Sequence, residues 1–201
     1  MGKKWLLTAS QERGGNSTFD LRLRRRPFFL YPEGRHDIIN WGERLDALYP
    51  GGRRSILALG DKAGFDFNMD APLSDTMDSH RLYVWAEAQD KGEDLAQCIG
   101  REYFERAKPL ADRDMLCACA REVGLDEAKA RAYLDGEGGV AEVRESVEQN
   151  LRLGIHSIPV FVFRSAGYET VVRGSADVST FGRVLDAILS AAAENQAKDE
   201  M

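Results

Sequence analysis

The sequence predicts an α/β protein in which a large all-helical insertion interrupts a small strand-bearing domain. Three observations carry this. Apolar and charged residues alternate strictly from Phe19 to Arg24, the period of a strand buried on one face. Apolar residues then recur with helical spacing from Asp37 to about Leu153. The pattern switches at Val160-Phe161-Val162-Phe163, a continuous apolar run of strand length, and a second strand and a closing helix follow it.

The elements follow in order. Lys3 to Glu12 reads as a short helix on propensity, with no capping residue before it. Gly14-Gly15-Asn16-Ser17 is a turn. Phe19, Leu21 and Leu23 then share one strand face, while Asp20, Arg22 and Arg24 charge the other, as at a sheet edge. Arg26-Pro27 ends that strand, because proline cannot donate to a ladder. The basic cluster Arg22, Arg24, Arg25 and Arg26 reads as the solvated face of the same edge.

The helical stretch resolves into segments. Ile38, Trp41, Leu45 and Leu48 keep helical spacing until Pro50, and Ile56, Leu57 and Gly60 make a short helix closed near Gly64. Asp75 or Thr76 caps a helix through Leu82, Trp85 and Ala86 to Gly92. Leu95, Cys98, Ile99, Tyr103 and Phe104 give another, ending before Pro109. Asp112 caps the next, which Gly124 stops, and Asp126 caps one reaching Leu134. Val140, Val143, Val147 and Leu151 mark the last, ending at Gly154. Beyond it, Val160 to Phe163 is predicted to be buried on both faces. A turn at Gly167 folds Glu169 to Val172 back as an antiparallel hairpin. Phe181, Val184, Leu185, Ile188 and Leu189 form the closing helix, and residues 195–201 a flexible tail.

Composition narrows the function classes. The 201 residues carry a formal net charge of −6, 43% hydrophobic residues and three cysteines. That apolar content suffices for a packed core, and the length fits one large domain or a domain with an insertion. An odd, small cysteine count is no disulfide scaffold and fits the cytoplasm. No apolar run approaches the roughly 20 residues of a membrane span, and Trp5-Leu6-Leu7 is too short for a signal-peptide core. Gly2 lacks the Ser or Thr at position 6 that myristoylation needs, since Leu6 stands there. The acidic balance argues against nucleic acid. Neither nucleic acid nor membrane is therefore expected as a partner.

Helix, strand, helical block, two strands and helix together make the skeleton of a thioredoxin-like fold with its first central strand missing. The partition is 1–36 for a partial first half, 37–154 for the insertion and 155–194 for the second half. Here a resemblance enters. Gly154-Ile155-His156-Ser157-Ile158-Pro159-Val160-Phe161-Val162-Phe163 resembles the Gly-x-x-x-Val-Pro-x-Phe-x-Phe segment of DsbA-like thiol–disulfide oxidoreductases of the FrnE type. Arg26-Pro27-Phe28-Phe29-Leu30-Tyr31-Pro32 is similar too. So are Asp78-Ser79-His80-Arg81-Leu82, Tyr103-Phe104, Gly124-Leu125-Asp126 and Gly174. The resemblance implies thiol–disulfide exchange, yet the Cys-x-x-Cys that opens the family's first helix has no counterpart here. That motif matters because a helix N-terminus lowers the pKa of the attacking thiol and the second thiol resolves the mixed disulfide. As written, the chain is therefore expected to be an inactive family member, and whether it is an enzyme at all stays open. An internal start codon is one expected cause. Either Phe19 to Arg24 should fail to pair with Val160 to Phe163, or a partner chain should fill the gap.

The resemblance also implies a cis bond before Pro159 and a substrate groove at Ser157, Ile158 and Pro159, where the Ile158 backbone meets an extended peptide or glutathione. No other cofactor is expected. The alternatives are a non-catalytic peptide- or glutathione-binding module and a glutathione-dependent isomerase or transferase. A homo-oligomer is compatible with all of them. Elsewhere the chemistry is sparse. Cys117 and Cys119 point about 200° apart on a helix and cannot bridge each other. Cys98 and Cys119 read as inert core thiols. His36, His80 and His156 stand at no metal-binding spacing, so no metal is expected. His80 and His156 remain candidate groove imidazoles, and Ser10 and Ser157 lack a triad spacing.

Overall fold

The computed structural model describes residues 1–15, 18–30, 40–165 and 168–199. His36, Asp37 and Ile38, the Tyr31-Pro32 end of the resemblance and the Gly167 turn lie outside the described residues. The chain divides into two units, Met1–Arg22 with Ile155–Met201, and Leu23–Gly154.

The first unit is built from α1 (Gly2–Gln11), a hairpin of β1 (Val160–Ser165) and β2 (Tyr168–Arg173), and α9 (Val178–Asp199). Helix α1 starts without a side-chain cap and buries Leu6, Ala9 and Ser10. It packs along α9, where Arg13 forks onto Asp186 at 2.6 and 3.0 Å. Asp177 caps α9 by accepting from the Thr180 amide. The described backbone of α9 stays helical through Asp199, past the Asn195 at which the flexible tail is predicted to begin. The hairpin register runs from Val160↔Arg173 to Ser165↔Tyr168. Fully buried Phe181 of α9 meets Phe161 edge-on at 4.9 Å and Phe163 at 6.1 Å. That contact buries one hairpin face only. The opposite face keeps the cross-strand pair Val162 and Val171 40% and 43% exposed, which corrects the expectation of a strand buried on both sides.

The sheet has two strands among the described residues. Phe19 to Arg24 forms no strand and does not pair with Val160 to Phe163, the first of the two expected outcomes. Its alternation survives as alternating exposure without a ladder. The basic cluster is accordingly not a strand face. Arg22 pairs with Asp20, Arg24 with Glu87, and Arg25 forks onto Glu93 at 2.8 and 2.9 Å. From Leu23 onward the backbone instead finds partners on helices of the second unit. The Arg25 amide donates to Tyr83 Oη at 2.8 Å, and Asn150 Nδ2 donates to the Pro27 carbonyl at 3.0 Å.

The second unit is all helical: α2 (Trp41–Leu48), α3 (Gly52–Ala63), α4 (Met77–Glu87), α5 (Gly92–Phe104), α6 (Arg113–Glu122), α7 (Glu127–Asp135) and α8 (Val140–Arg152). The predicted caps form. Asp112 accepts from the Asp114 and Met115 amides and Asp126 from the Lys129 amide, while Asp75 rather than Thr76 takes the Met77 amide. The core joins Leu82 and Ala86 of α4, Leu95 and Ile99 of α5, Leu116 and Ala120 of α6, and Ala130 and Leu134 of α7.

One charge sits inside this unit. Arg81 is 3% exposed and donates to the carbonyls of Tyr133, Leu134, Gly136 and Gly138 and to Asp78. The Gly136-Glu137-Gly138-Gly139 turn can wrap it because a Cβ at Gly138 would meet the Tyr133 ring at 2.6 Å, and Gly139 has φ +76. The second oxygen of Asp78 accepts from Arg113 Nε at 2.6 Å, linking α4 to α6. Arg81→Met would strip these carbonyls of their donor. The expected loss is on the order of 3–5 kcal/mol of unfolding free energy, read by urea denaturation. Arg81→Lys should rescue little of it, because an ammonium cannot reach along the same fork.

Candidate functional site

The loop between α8 and β1 gathers four of the five predicted site residues. Gly154 takes a left-handed φ of 72° after α8, and the chain turns through Ile155 to Pro159 before entering β1. The Ile158–Pro159 bond is cis, as the resemblance implies. The loop is fastened from the far strand, where the Gly174 amide donates to the Pro159 carbonyl at 2.9 Å. Gly174 can do so with φ +82, a conformation that L side chains rarely adopt. His156, Ser157, Ile158 and Pro159 are all exposed, and Ile158 holds an apolar side chain 51% exposed. Among the described residues, the Ile158 amide and carbonyl find no protein partner. Such a stretch of backbone beside a strand can take an extended ligand by main-chain hydrogen bonds, with Ile158 supplying apolar contact.

His80 belongs to the helical unit. Its ring lies 5.5 Å from the Phe29 ring and hydrogen-bonds the Phe28 backbone. With Tyr83 and Asn150 it secures the segment from Arg25 to Phe29. Burial holds its pKa below the ordinary histidine value, opposed by the Phe28 bond and by Asp75. Tyr83 is pushed up to about 12, chiefly by burial.

The three thiols lie elsewhere. Cys98, Cys117 and Cys119 are free and buried on α5 and α6, and burial raises the pKa of each. No group of three potential metal ligands occurs among the described residues. No described helix is long and apolar enough to cross a membrane. The sequence does not reveal two of the fasteners. Gly174 and Arg81 show there only as residues within segments that match the family.

The profile of the DSBA-like thioredoxin domain matches residues 5–186, and the chain belongs to that family. The structure superposes on a probable DsbA oxidoreductase from Streptomyces coelicolor with a TM-score of 0.79 at 23% identity, covering 94% of this chain and 83% of that one. The cytosolic disulfide reductase DsbM from Pseudomonas aeruginosa gives a TM-score of 0.57 at 23% identity, covering 98% and 92%. DsbM with GSH gives 0.56 at 24% identity over the same shares. These likenesses establish the shared fold. No curated protein matches the chain.

The His80 environment sets a pH dependence. As pH falls, the unfolded chain takes up the histidine proton before the folded one does, so stability present above the ordinary histidine pKa is lost below it. Melting temperature should therefore fall between about pH 7.5 and about pH 5.5. His80→Gln should flatten that slope.

Proposed function

We propose that the Ser157-Ile158-Pro159 loop is a binding groove for glutathione or a thiol-bearing peptide, and that it binds such ligands without catalysing disulfide turnover. The observation that carries the reading is the exposed Ile158 peptide group, which finds no partner among the described residues, beside β1 on a loop fastened by Gly174. Membership of the DSBA-like family supports a thiol ligand, and DsbM with GSH supplies the precedent for a small one. The cytosolic setting of DsbM supports the cytoplasm as the compartment for this chain.

The absence of turnover rests on thiol chemistry. Exchange needs an accessible thiolate. The three cysteines of the chain are all buried in the helical unit, with their thiols pushed toward the protonated form. The loop itself offers a hydroxyl and an imidazole but no sulfur.

Two measurements test this. Insulin reduction by dithiothreitol should proceed at the uncatalysed rate when the protein is added, and a rate well above that background would overturn the claim of inactivity. Glutathione titrated by calorimetry should bind saturably. Pro159→Ala, which alters the floor of the loop, should weaken that binding by about tenfold or more, roughly 1.4 kcal/mol.

A further inference from the structure

Two of the three cysteines meet across a helix pair. Cys98 of α5 and Cys119 of α6 are 21 positions apart, yet their Sγ atoms stand 2.6 Å from each other, inside the van der Waals contact of two sulfurs. Cys98 is 3% and Cys119 2% exposed. A cation attends the pair, with Arg101 Nη2 3.5 Å from Cys98 Sγ. The same guanidinium reaches both oxygens of Glu122 at 2.8 Å, and so ties α5 to α6 beside the sulfurs. Met115 Sδ lies 3.9 Å from Cys119 Sγ on the inner side. Cys117, two residues before Cys119, faces about 200° away around α6 and serves as an internal control.

We propose that Cys98 and Cys119 are a buried redox pair that closes into a disulfide between α5 and α6, with a small-molecule disulfide such as glutathione disulfide as oxidant. This pair is distinct from the Pro159 loop and does not depend on the function proposed for it. Cys98 attacks first, because Arg101 beside its sulfur offsets part of the burial that disfavours its thiolate. A mixed disulfide forms between Cys98 and one half of the oxidant as the oxidant's S–S bond breaks. The other half leaves as a thiolate and takes up the proton that Cys98 lost. The Cys119 thiolate then attacks Cys98 Sγ, the protein disulfide forms, and the second half departs as a thiol. Two electrons and two protons pass from the pair to the oxidant, which becomes two thiols.

Burial makes this a slow lock rather than a turnover site. The oxidant reaches Cys98 only when α5 and α6 open locally. Once closed, the bridge shortens the loop from Cys98 to Cys119 in the unfolded chain and so stabilises the helix pair.

The test equilibrates the whole chain in glutathione and glutathione disulfide mixtures, with a parallel arm in urea below the unfolding transition to speed opening. After acid quenching and alkylation, intact mass and peptide mapping read the thiols. The expected product has lost two hydrogen atoms, joins the Cys98 and Cys119 peptides, carries an alkylated Cys117 and melts higher than the reduced form. Cys117→Ser should still form it, whereas Cys98→Ser and Cys119→Ser should not. Three alkylatable cysteines in both arms, a bridge that includes Cys117, or mixed glutathione disulfides alone would overturn the proposal.

Discussion

A guanidinium in a dry core must be surrounded by acceptors, and the helical unit is organised round that requirement. Arg81 of α4 is itself only 3% exposed, so its guanidinium is cut off from water. The end of α7 and the turn after it supply what water would. Helix C-termini leave carbonyls without intrahelical donors, and the carbonyls of Tyr133, Leu134, Gly136 and Gly138 all point at Arg81. One buried charge and one helix C-terminus thus satisfy each other. Asp78 extends the arrangement to Arg113, so α4, α6 and α7 share one polar network beneath the apolar core. A desolvated charge of this kind holds geometry more than it adds stability, because only replacing the charge together with its buried acceptors by apolar groups would avoid the desolvation cost.

The small unit uses a different logic. Its hairpin is covered on one face by Phe181 and open on the other, and the loop entering β1 is held from β2 through Gly174. The Gly174 amide fixes the Pro159 carbonyl, while the neighbouring Ile158 peptide finds no protein partner among the described residues. Helix α1 is secured to α9 by the Arg13 fork on Asp186, where Gly182 leaves room for the guanidinium. A Cβ at Gly182 would lie 2.4 Å from Arg13 Nη2.

The position of the sulfurs shapes the functional reading. Reactive thiols are exposed and electropositive, and structural ones are buried and protonated. All three here are of the second kind, and all three lie in the helical unit rather than in the Pro159 loop. Two of them nonetheless stand in contact, with a cation beside one. Burial then governs rate, and proximity governs whether a bond can form at all.

Much was legible in the sequence alone. Local rules sufficed for the helices, their caps at Asp112 and Asp126 and the hairpin, because spacing, capping and turn chemistry act over a few residues, whereas the loop that carries Ile158 and Pro159 was legible only through the family resemblance. The alternation from Phe19 to Arg24 is genuine, but a strand needs a neighbour, and period alone does not supply one. The exposed Val162 and Val171 face escaped for the same reason, since an apolar run does not say which layers exist to cover it. The carbonyls that surround Arg81 lie more than fifty positions away, and Cys98 finds Cys119 across two helices. Such partners are set by how helices pack rather than by any period along the chain, so only the tertiary structure could decide them.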